Sequence, residues 1–348
     1  PPPPPPPPPP FFFQAHPGNR DPLWSRGLGD VYKRQHAGNA MRRYSETTRR
    51  NWLVNCTAGT LGGVSLLSVA PHALLARAQE HTTRPRHRLS LAAYSYRNLL
   101  SGSSPKLTLF DFVDDCIKFG LEGTELTSYY FPEKVSNEYL MKLKRHCFRT
   151  GIDISGTAVG NDFGFPESGK RETQIDTLKG WIEKASLLGA PVIRIFAGHQ
   201  KPGTDAESAH RLMVTAMEEC CDHAGKYGVT LALENHGGPT ATAEGLLRFV
   251  NDIQSPWFGV NLDTGNFHSQ DVYKDLAKVA PHAVNVQVKV VIAPKGQPRQ
   301  PTDFRRLAAI LNEVGYSGYT VLEYEEKGDP REECPRYLDQ MREAFAST

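Results

Sequence analysis

The chain has 348 residues, 39% of them hydrophobic, and its 40 Lys and Arg nearly balance its 38 Asp and Glu, for a formal net charge of +2. This length suits one large domain or two small ones. The near-neutral charge gives no indication of a nucleic-acid or membrane surface, so any functional site must be found from local residues.

The first forty residues do not have the pattern of a folded segment. Ten prolines, three phenylalanines and a Gly/Arg-rich run offer no periodic apolar face. We predict that residues 1–40 are a non-native or disordered leader and that Met41 is the natural start. A native polyproline leader is the alternative.

Residues 41–78 have the pattern of a twin-arginine export signal. Arg49 and Arg50 precede a moderately apolar run that continues to Val69, and an A-x-A pattern ends at Ala78. We predict cleavage after Ala78 and export to the periplasm by the twin-arginine machinery. A single membrane anchor is the alternative. The run is short for a span and contains Gly, Thr, Ser and Asn, so we expect no stable membrane anchor.

The cysteines do not predict a disulfide framework. One of the six, Cys56, lies in the predicted signal, and the other five show no CxxC spacing. An odd number without that spacing argues against disulfides and against a zinc ribbon. We expect Cys116, Cys147, Cys220 and Cys221 to be small core residues of helices.

After a linker over 79–88, β-rich runs alternate with helical runs through residues 89–348. The predicted strands are Leu89–Tyr96, Gly123–Thr127, Ile152–Ala158, Val192–Phe196, Val229–Glu234, Phe258–Leu262, Val284–Lys289 and Tyr319–Leu322. The predicted helices are Leu109–Phe119, Asn137–Thr150, Glu172–Leu188, Ala206–Tyr227, Ala241–Val250, Val272–Ala280, Asp303–Val314 and Arg331–Phe345. Glycines such as Gly120 and Gly151 follow several helices, where a left-handed cap favours glycine.

Eight strand–helix units predict an α/β protein, a single-domain (β/α)₈ TIM barrel, since such barrels typically need about 250 residues. A doubly wound open sheet is the runner-up. That fold usually has a glycine-rich phosphate loop after its first strand, and AAYSYRNLLSG has no such fingerprint.

Oxygen-bearing side chains end four successive strands. The motifs are LALENHGG with Glu234, GVNLDTGNFH with Asp263, HAVNVQVKVV with Gln287 and TVLEYEE with Glu323. Catalytic residues of a TIM barrel come from these strand ends. Neighbouring carboxylates would raise each other's pKa, and a divalent cation would remove that cost. Oxygen ligands favour manganese or magnesium over zinc. The alternative is that these acids are exposed loop residues.

Through the motifs ENHGG, LDTGN, LEYE and the strand ending in Lys289, the chain resembles the xylose-isomerase-like barrel superfamily of sugar phosphate isomerases and epimerases, over Leu89 to Phe345. The resemblance implies one divalent metal ion, held by Glu234, Asp263, Gln287 and Glu323. Gln287 departs from the commoner histidine, which disfavours zinc.

The seventh strand alternates polar residues with valines, a period of two that gives it one polar and one apolar face. An exposed sheet face is one reading of Asn285, Gln287 and Lys289. The resemblance implies the other, in which this face points into the barrel and Gln287 and Lys289 belong to the site.

The resemblance also implies proton transfer next to a sugar carbonyl, with a metal stabilising the enediolate. Glu234 and Glu323 are the candidate base and acid. The candidate substrate-binding residues are Glu125, Arg194, His236, Asn266 and Lys289. For Glu125, helix capping is the alternative. Arg194 is as readily paired with a structural acid, and a positioning role for His236 is nearly as well supported. Lys289 either binds a substrate oxygen or balances the charge of the carboxylates.

Other polar and aromatic residues near the predicted rim are less specific. His199 and Lys201 are either rim residues or solvated side chains. The cluster Tyr129-Tyr130-Phe131 predicts either a wall of a sugar pocket or the subunit interface of a homo-oligomer.

Three functions follow from this site. The first is a metal-dependent isomerase or epimerase acting on a small-molecule sugar or keto-sugar. The second is a lyase or hydrolase of keto-glycosides that uses the same site. The third is a non-catalytic periplasmic sugar-binding protein, which the intact Glu234 and Glu323 disfavour. Export and the lack of a basic phosphate cradle favour free sugars over sugar phosphates. Gln287 and the near-neutral charge disfavour the DNA-repair endonuclease branch and a nucleic-acid partner.

Overall fold

The computed structural model describes residues 87–346. The predicted leader over 1–40, the predicted export signal over 41–78 and all but the last two residues of the predicted linker lie outside the described residues.

Eight parallel strands form a closed barrel, and each pairs with its neighbours in chain order, while the first also pairs with the eighth. This confirms the predicted (β/α)₈ TIM barrel. The barrel strands are β1 (Arg88–Ala92), β2 (Gly123–Thr127), β3 (Asp153–Ala158), β4 (Val192–Ile195), β5 (Thr230–Glu234), β6 (Phe258–Asp263), β7 (Ala283–Val288) and β8 (Tyr319–Leu322).

A helix follows each strand on the outside of the barrel. These helices are α1 (Leu109–Lys118), α2 (Asn137–Thr150), α3 (Ser168–Leu188), α4 (Ala206–Tyr227), α5 (Ala243–Asp252), α6 (Val272–Val279), α7 (Phe304–Glu313) and α8 (Pro330–Ala346). Shorter elements are a helical turn at Arg97–Leu100, 3₁₀ helices at Ala93–Tyr96, Ser128–Tyr130, Gly238–Thr240 and Ala280–His282, and a two-stranded ribbon of Val291–Ile292 and Gln300–Pro301.

The first strand is shorter than predicted. The sequence predicted a strand to Tyr96, but Ala93–Tyr96 is a 3₁₀ helix. The reason lies in its tertiary contacts. Ser95 Oγ accepts a hydrogen bond from Tyr324 N at 2.9 Å, and the Tyr96 ring packs edge-on against Phe112 with 5.0 Å between centroids. Contacts with the end of β8 and with α1 therefore replace the strand ladder there.

Helix α1 shows how local sequence sets the packing of the helical layer. Leu109, Phe112, Val113 and Cys116 are buried at the spacing of one helix face. Thr108 caps the helix and forms a capping box with Asp111, which satisfies two amide groups at the first turn. The helix thus begins where the cap lies and turns its apolar face to the barrel.

The described cysteines, at positions 116, 147, 220, 221 and 334, are all free and buried. This confirms the prediction that Cys116, Cys147, Cys220 and Cys221 are small core residues of helices. Within residues 87–346, the helices lack the length and apolar character needed to cross a bilayer.

Candidate active site

The predicted acidic residues lie at one end of the barrel. Glu234 is the last residue of β5, Asp263 is the last residue of β6, and Glu323 directly follows β8. Because the strands are parallel, their carboxyl ends share one rim. All three side chains are buried, with at most 5% of each residue exposed. They are therefore interior acids and not solvated loop residues.

Glu234 is held by cationic and amide groups. Arg194 Nε of β4 lies 2.9 Å from Glu234 Oε2. His236 Nδ1 lies 2.6 Å from Oε1, and Asn266 Nδ2 donates to the same oxygen at 3.0 Å. Burial alone would raise the pKa of the Glu234 carboxyl, but the charge of Arg194 and the contact with His236 outweigh it and lower this pKa. The hydrogen bond to Glu234 raises the pKa of His236 in turn.

Lys289, which follows β7, reaches three other carboxylates. Its Nζ forms an ion pair with Glu323 Oε2, and lies 3.0 Å from Glu325 Oε2 and 3.3 Å from Asp263 Oδ2. Burial alone would lower the pKa of Lys289, but these carboxylates raise it well above its usual value. Burial raises the pKa of Asp263 to about 7, and raises the pKa of Glu323, although the charge of Lys289 opposes both shifts.

A layer of buried amides lies deeper in the barrel. Gln287 Oε1 accepts a hydrogen bond from Asn261 Nδ2 at 2.6 Å, and Gln287 Nε2 donates to Glu125 Oε1 at 2.9 Å. Asn285 Nδ2 donates to Asn261 Oδ1 at 2.8 Å and to Glu125 Oε2 at 3.1 Å. Burial raises the pKa of Glu125 to about 7. The polar face of β7 thus points into the barrel, where each amide has a partner.

These contacts show which of the four predicted metal ligands lie near one another. Asp263 and Glu323 face one point, but Lys289 Nζ lies there. Both ends of Gln287 are used in the amide layer, and both oxygens of Glu234 are engaged by its own neighbours. In the described part of the chain, no group of three or more His, Cys, Asp or Glu side chains could hold a metal ion. The four residues do not form the expected shell. The manganese or magnesium ion stays a prediction, which this arrangement of side chains does not fit.

Two cavities open beside these residues. The first has about 180 Å³ and is lined in part by Asn266, Lys289, Glu323 and Glu325. The second has about 160 Å³ and is lined in part by His236. Asn266 Nδ2 lies 3.4 Å from His236 Nδ1, so residues of the two cavities are in contact. A small polar ligand could lie in either.

The predicted substrate-binding residues therefore divide into two groups. Lys289, Asn266 and His236 line cavities. Arg194 and Glu125 are 5% and 1% exposed and contact other side chains of the barrel instead.

The less specific rim residues also have defined places. His199 lines the second cavity, whereas Lys201 forms an ion pair with Asp162. The hydroxyl of Tyr129 lies 3.4 Å from Arg194 Nη1, which places this tyrosine beside the site. Phe131 is buried and packs against Trp181 with 5.4 Å between ring centroids. Of the two expectations for the aromatic cluster, these contacts favour a wall of the site for Tyr129 and core packing for Phe131.

Sequence reasoning did not select two residues that shape the site. Asn261 connects Gln287 with Asn285. The sequence did contain a signal for it, because Asn261 and Asp263 alternate with apolar residues of β6 in the same period-two pattern. Glu325 lies two residues beyond Glu323 and after the end of β8, and its contact with Lys289 was not predicted.

A model of the family described as "Xylose isomerase-like TIM barrel" matches residues 113–344. A xylose isomerase domain protein from Planctomyces limnophilus has a similar structure, with TM-score 0.59 and 17% identity over 76% of this chain and 100% of that one. D-Psicose 3-epimerase from Clostridium cellulolyticum H10 has a TM-score of 0.62 and 15% identity, over 74% of this chain and 99% of that one. The 3-keto-D-glucoside 4-epimerase from E. coli has a TM-score of 0.59 and 15% identity, over 74% of this chain and 100% of that one. No curated protein matches the chain.

Proposed function

Because the chain belongs to the xylose isomerase-like TIM barrel family, we propose that it is a sugar isomerase or epimerase that transfers a proton next to a carbonyl group. The observation that carries the proposal is the pair of buried carboxylates, Glu234 on β5 and Glu323 after β8, at the rim of the barrel. Proton transfer at carbon needs a base, an acid and a positive charge near the oxygen that becomes negative. Arg194 and Lys289 supply positive charge beside the two carboxylates.

The reaction can be written with these residues alone. One carboxylate removes the proton from the carbon next to the carbonyl, and the electron pair moves to the carbonyl oxygen to give an enediolate. The other carboxyl group, which begins the reaction protonated, gives its proton to carbon. Protonation of the same carbon on its opposite face inverts that carbon. Protonation of the former carbonyl carbon moves the carbonyl, with the hydroxyl proton of the first carbon passing to the oxygen of the former carbonyl. Glu234 and Glu323 are the proposed pair, and the ammonium of Lys289 is the proposed neighbour of the enediolate oxygen.

The proposed substrate is a free sugar or keto-sugar. The first cavity, of about 180 Å³, has room for one small ring. Its cations are already paired, Lys289 with the acids described above and Arg299 with Glu326, so neither provides a free phosphate cradle. The proposed export to the periplasm, which depends on residues 41–78, agrees with a substrate that is not phosphorylated.

Deuterium exchange tests this proposal. The full chain is incubated in D₂O, with and without added Mn²⁺, with D-fructose, D-tagatose, D-psicose and a 3-keto-glucoside, and loss of the C–H signal next to the carbonyl is followed by NMR. We expect exchange in the wild type and a loss of about 100-fold or more in Glu234→Gln and Glu323→Gln. Glu343→Gln, an exposed acid of α8, is the matched control and should exchange like the wild type. Exchange that survives in both site variants, or is absent with all four compounds, would contradict the proposal.

The second cavity favours one further candidate, a lyase or hydrolase of keto-glycosides. It adjoins His236, which contacts Glu234, and has room for a leaving group beside the reacting ring. Proton removal beside the keto group would then expel the glycosidic oxygen. The same NMR experiment separates the two functions, because elimination releases the free alcohol from the keto-glucoside and epimerisation does not.

A further inference from the structure

The ammonium of Lys289 lies between three carboxylates that come from different parts of the rim. Asp263 ends β6, while Glu323 and Glu325 follow β8, and each has an oxygen within ion-pair distance of Lys289 Nζ. The Lys289 side chain is only 10% exposed, and those of Asp263 and Glu323 are 0% and 6% exposed. Asp263 Oδ2 accepts no hydrogen bond and has this ammonium as its ion-pair partner. An ammonium has three N–H donors, and Glu323 Oε2 accepts a hydrogen bond from one of them.

The surrounding backbone holds the lysine in this position. Lys289 N donates to Thr264 Oγ1 at 2.9 Å, and Lys289 O accepts from Thr302 Oγ1 at 2.7 Å. Gly265 leaves space for the aliphatic stem, because a Cβ there would lie 2.6 Å from Lys289 Cγ. Two threonines thus hold the backbone of Lys289 and a glycine leaves room for its side chain, which is evidence that its inward position is built into the fold.

The two remaining predicted metal ligands, Gln287 and Glu234, are engaged by other side chains. Gln287 uses its oxygen and its nitrogen within the amide layer. Glu234 binds Arg194 and His236. A metal ion using all four predicted ligands would have to displace Lys289 and break these contacts.

We infer that Lys289 is the resident cation of this site and takes the place of the divalent metal ion predicted from the sequence. The position of the ammonium stands on the contacts above, whereas its chemical role rests on the proposed function. Glu325 is the most exposed of the three carboxylates, with 40% of its side chain accessible. The carbonyl oxygen of a keto-sugar entering the first cavity can replace Glu325 and accept an N–H from Lys289. The substrate class is therefore a keto-sugar that places one oxygen, rather than a chelating pair, at the cation.

Metal binding tests the inference without any activity assay. The full chain and the variants Lys289→Met and Lys327→Met are stripped with EDTA, dialysed against Mn²⁺, Mg²⁺ or Zn²⁺, and measured by inductively coupled plasma mass spectrometry and by thermal melting. Lys327 is an exposed lysine after β8 and serves as the matched control. We expect no stoichiometric metal and no change of Tm with Mn²⁺ or EDTA in the wild type and in Lys327→Met. Lys289→Met leaves the acids without their cation, so Mn²⁺ should bind it and raise its Tm by several degrees.

One equivalent of a divalent metal in the wild type, with a Tm that falls in EDTA, would overturn the inference. So would a folded Lys289→Met that does not respond to any of the three metals. If Lys289→Met does not fold, the wild-type measurement still decides. The two proposals can fail separately. A wild type that binds no metal and exchanges no sugar proton would contradict the proposed function alone. A wild type that binds metal and exchanges protons would contradict the Lys289 inference alone.

Discussion

Replacing Arg194 by methionine should cost a large part of the stability of the barrel. Arg194 and Glu234 have side chains that are 5% and 4% exposed, and 2.9 Å separates Nε from Oε2. Methionine keeps the apolar stem but removes the charge. Removing one partner of a buried ion pair typically costs about 3–5 kcal/mol, because the other charge stays buried without compensation. We expect a loss near the lower end, about 3 kcal/mol, since His236 still contacts Glu234.

Urea denaturation followed by circular dichroism measures this free energy of unfolding. The matched control is Arg305→Met, because Arg305 and Glu343 form an ion pair with side chains that are 67% and 73% exposed. An exposed pair is worth about 0–1 kcal/mol, so this control should stay close to the wild type. In the double variant Arg194→Met with Glu234→Gln, the uncompensated charge is gone. It should recover roughly 1–2 kcal/mol relative to Arg194→Met, as expected for directly coupled residues.

A loss below about 1 kcal/mol in Arg194→Met, equal to that of the surface control, would refute the reasoning. It would mean that water reaches Glu234 in the folded protein. A double variant less stable than Arg194→Met would also count against it, because the penalty would then not come from the charge left on Glu234.

Three further changes test other parts of the barrel. Asn261→Leu leaves Gln287 Oε1 without its donor, whereas Asn285 Nδ2 loses one of its two acceptors and keeps Glu125. The free energy of unfolding should fall by about 1–3 kcal/mol in urea denaturation, and an unchanged value would contradict the amide layer. Gly265→Ala places a Cβ 2.6 Å from Lys289 Cγ and should lower the free energy of unfolding by about 1–3 kcal/mol. Gly169→Ala is the control, because no atom lies within 4 Å of its added Cβ, and its stability should be unchanged or higher. Thr108→Ala removes the cap of α1 and should cost about 1 kcal/mol at neutral pH. The hydrogen bond from Thr108 lowers the pKa of Asp111, so this stabilisation exists above the ordinary aspartate pKa of about 3.9 and is lost as the pH falls through the folded-state value. The difference between Thr108→Ala and the wild type should therefore shrink in acid, and a difference that grows there would contradict the argument.

Most of the architecture could be predicted because it depends on local patterns. Helices α2 and α4 begin and end at the predicted residues, and Gly151 and Gly228, which follow them, have the positive φ that glycine favours. Strand ends could be predicted to share a rim because parallel barrel strands all point the same way. The strand over 284–289 was predicted one residue late, since alternation marks a face and not a boundary.

The partners of the site residues could not be predicted in this way. Gln287 binds Glu125, 162 positions earlier in the chain, and Lys289 binds Glu323, 34 positions later. Both contacts depend on the closed barrel and on side-chain torsions that leave no periodic trace in the sequence. The sequence therefore indicated which residues reach the interior, and the structure was needed to show which of them neutralise each other.

The energetics of these contacts bear directly on whether a metal ion can compete with Lys289. Moving the ammonium away from its buried carboxylates costs about 3–5 kcal/mol, which a metal ion must offset by its own binding. Turning the Gln287 oxygen toward a metal also gives up two hydrogen bonds, about 2 kcal/mol in total. The combined penalty of roughly 5–7 kcal/mol weakens a dissociation constant by about 4 × 10³-fold to 10⁵-fold, since each 1.4 kcal/mol is a factor of ten. A site of micromolar intrinsic affinity would then bind metal only at concentrations of about 4–100 mM, so the ammonium stays between the carboxylates at lower metal concentrations.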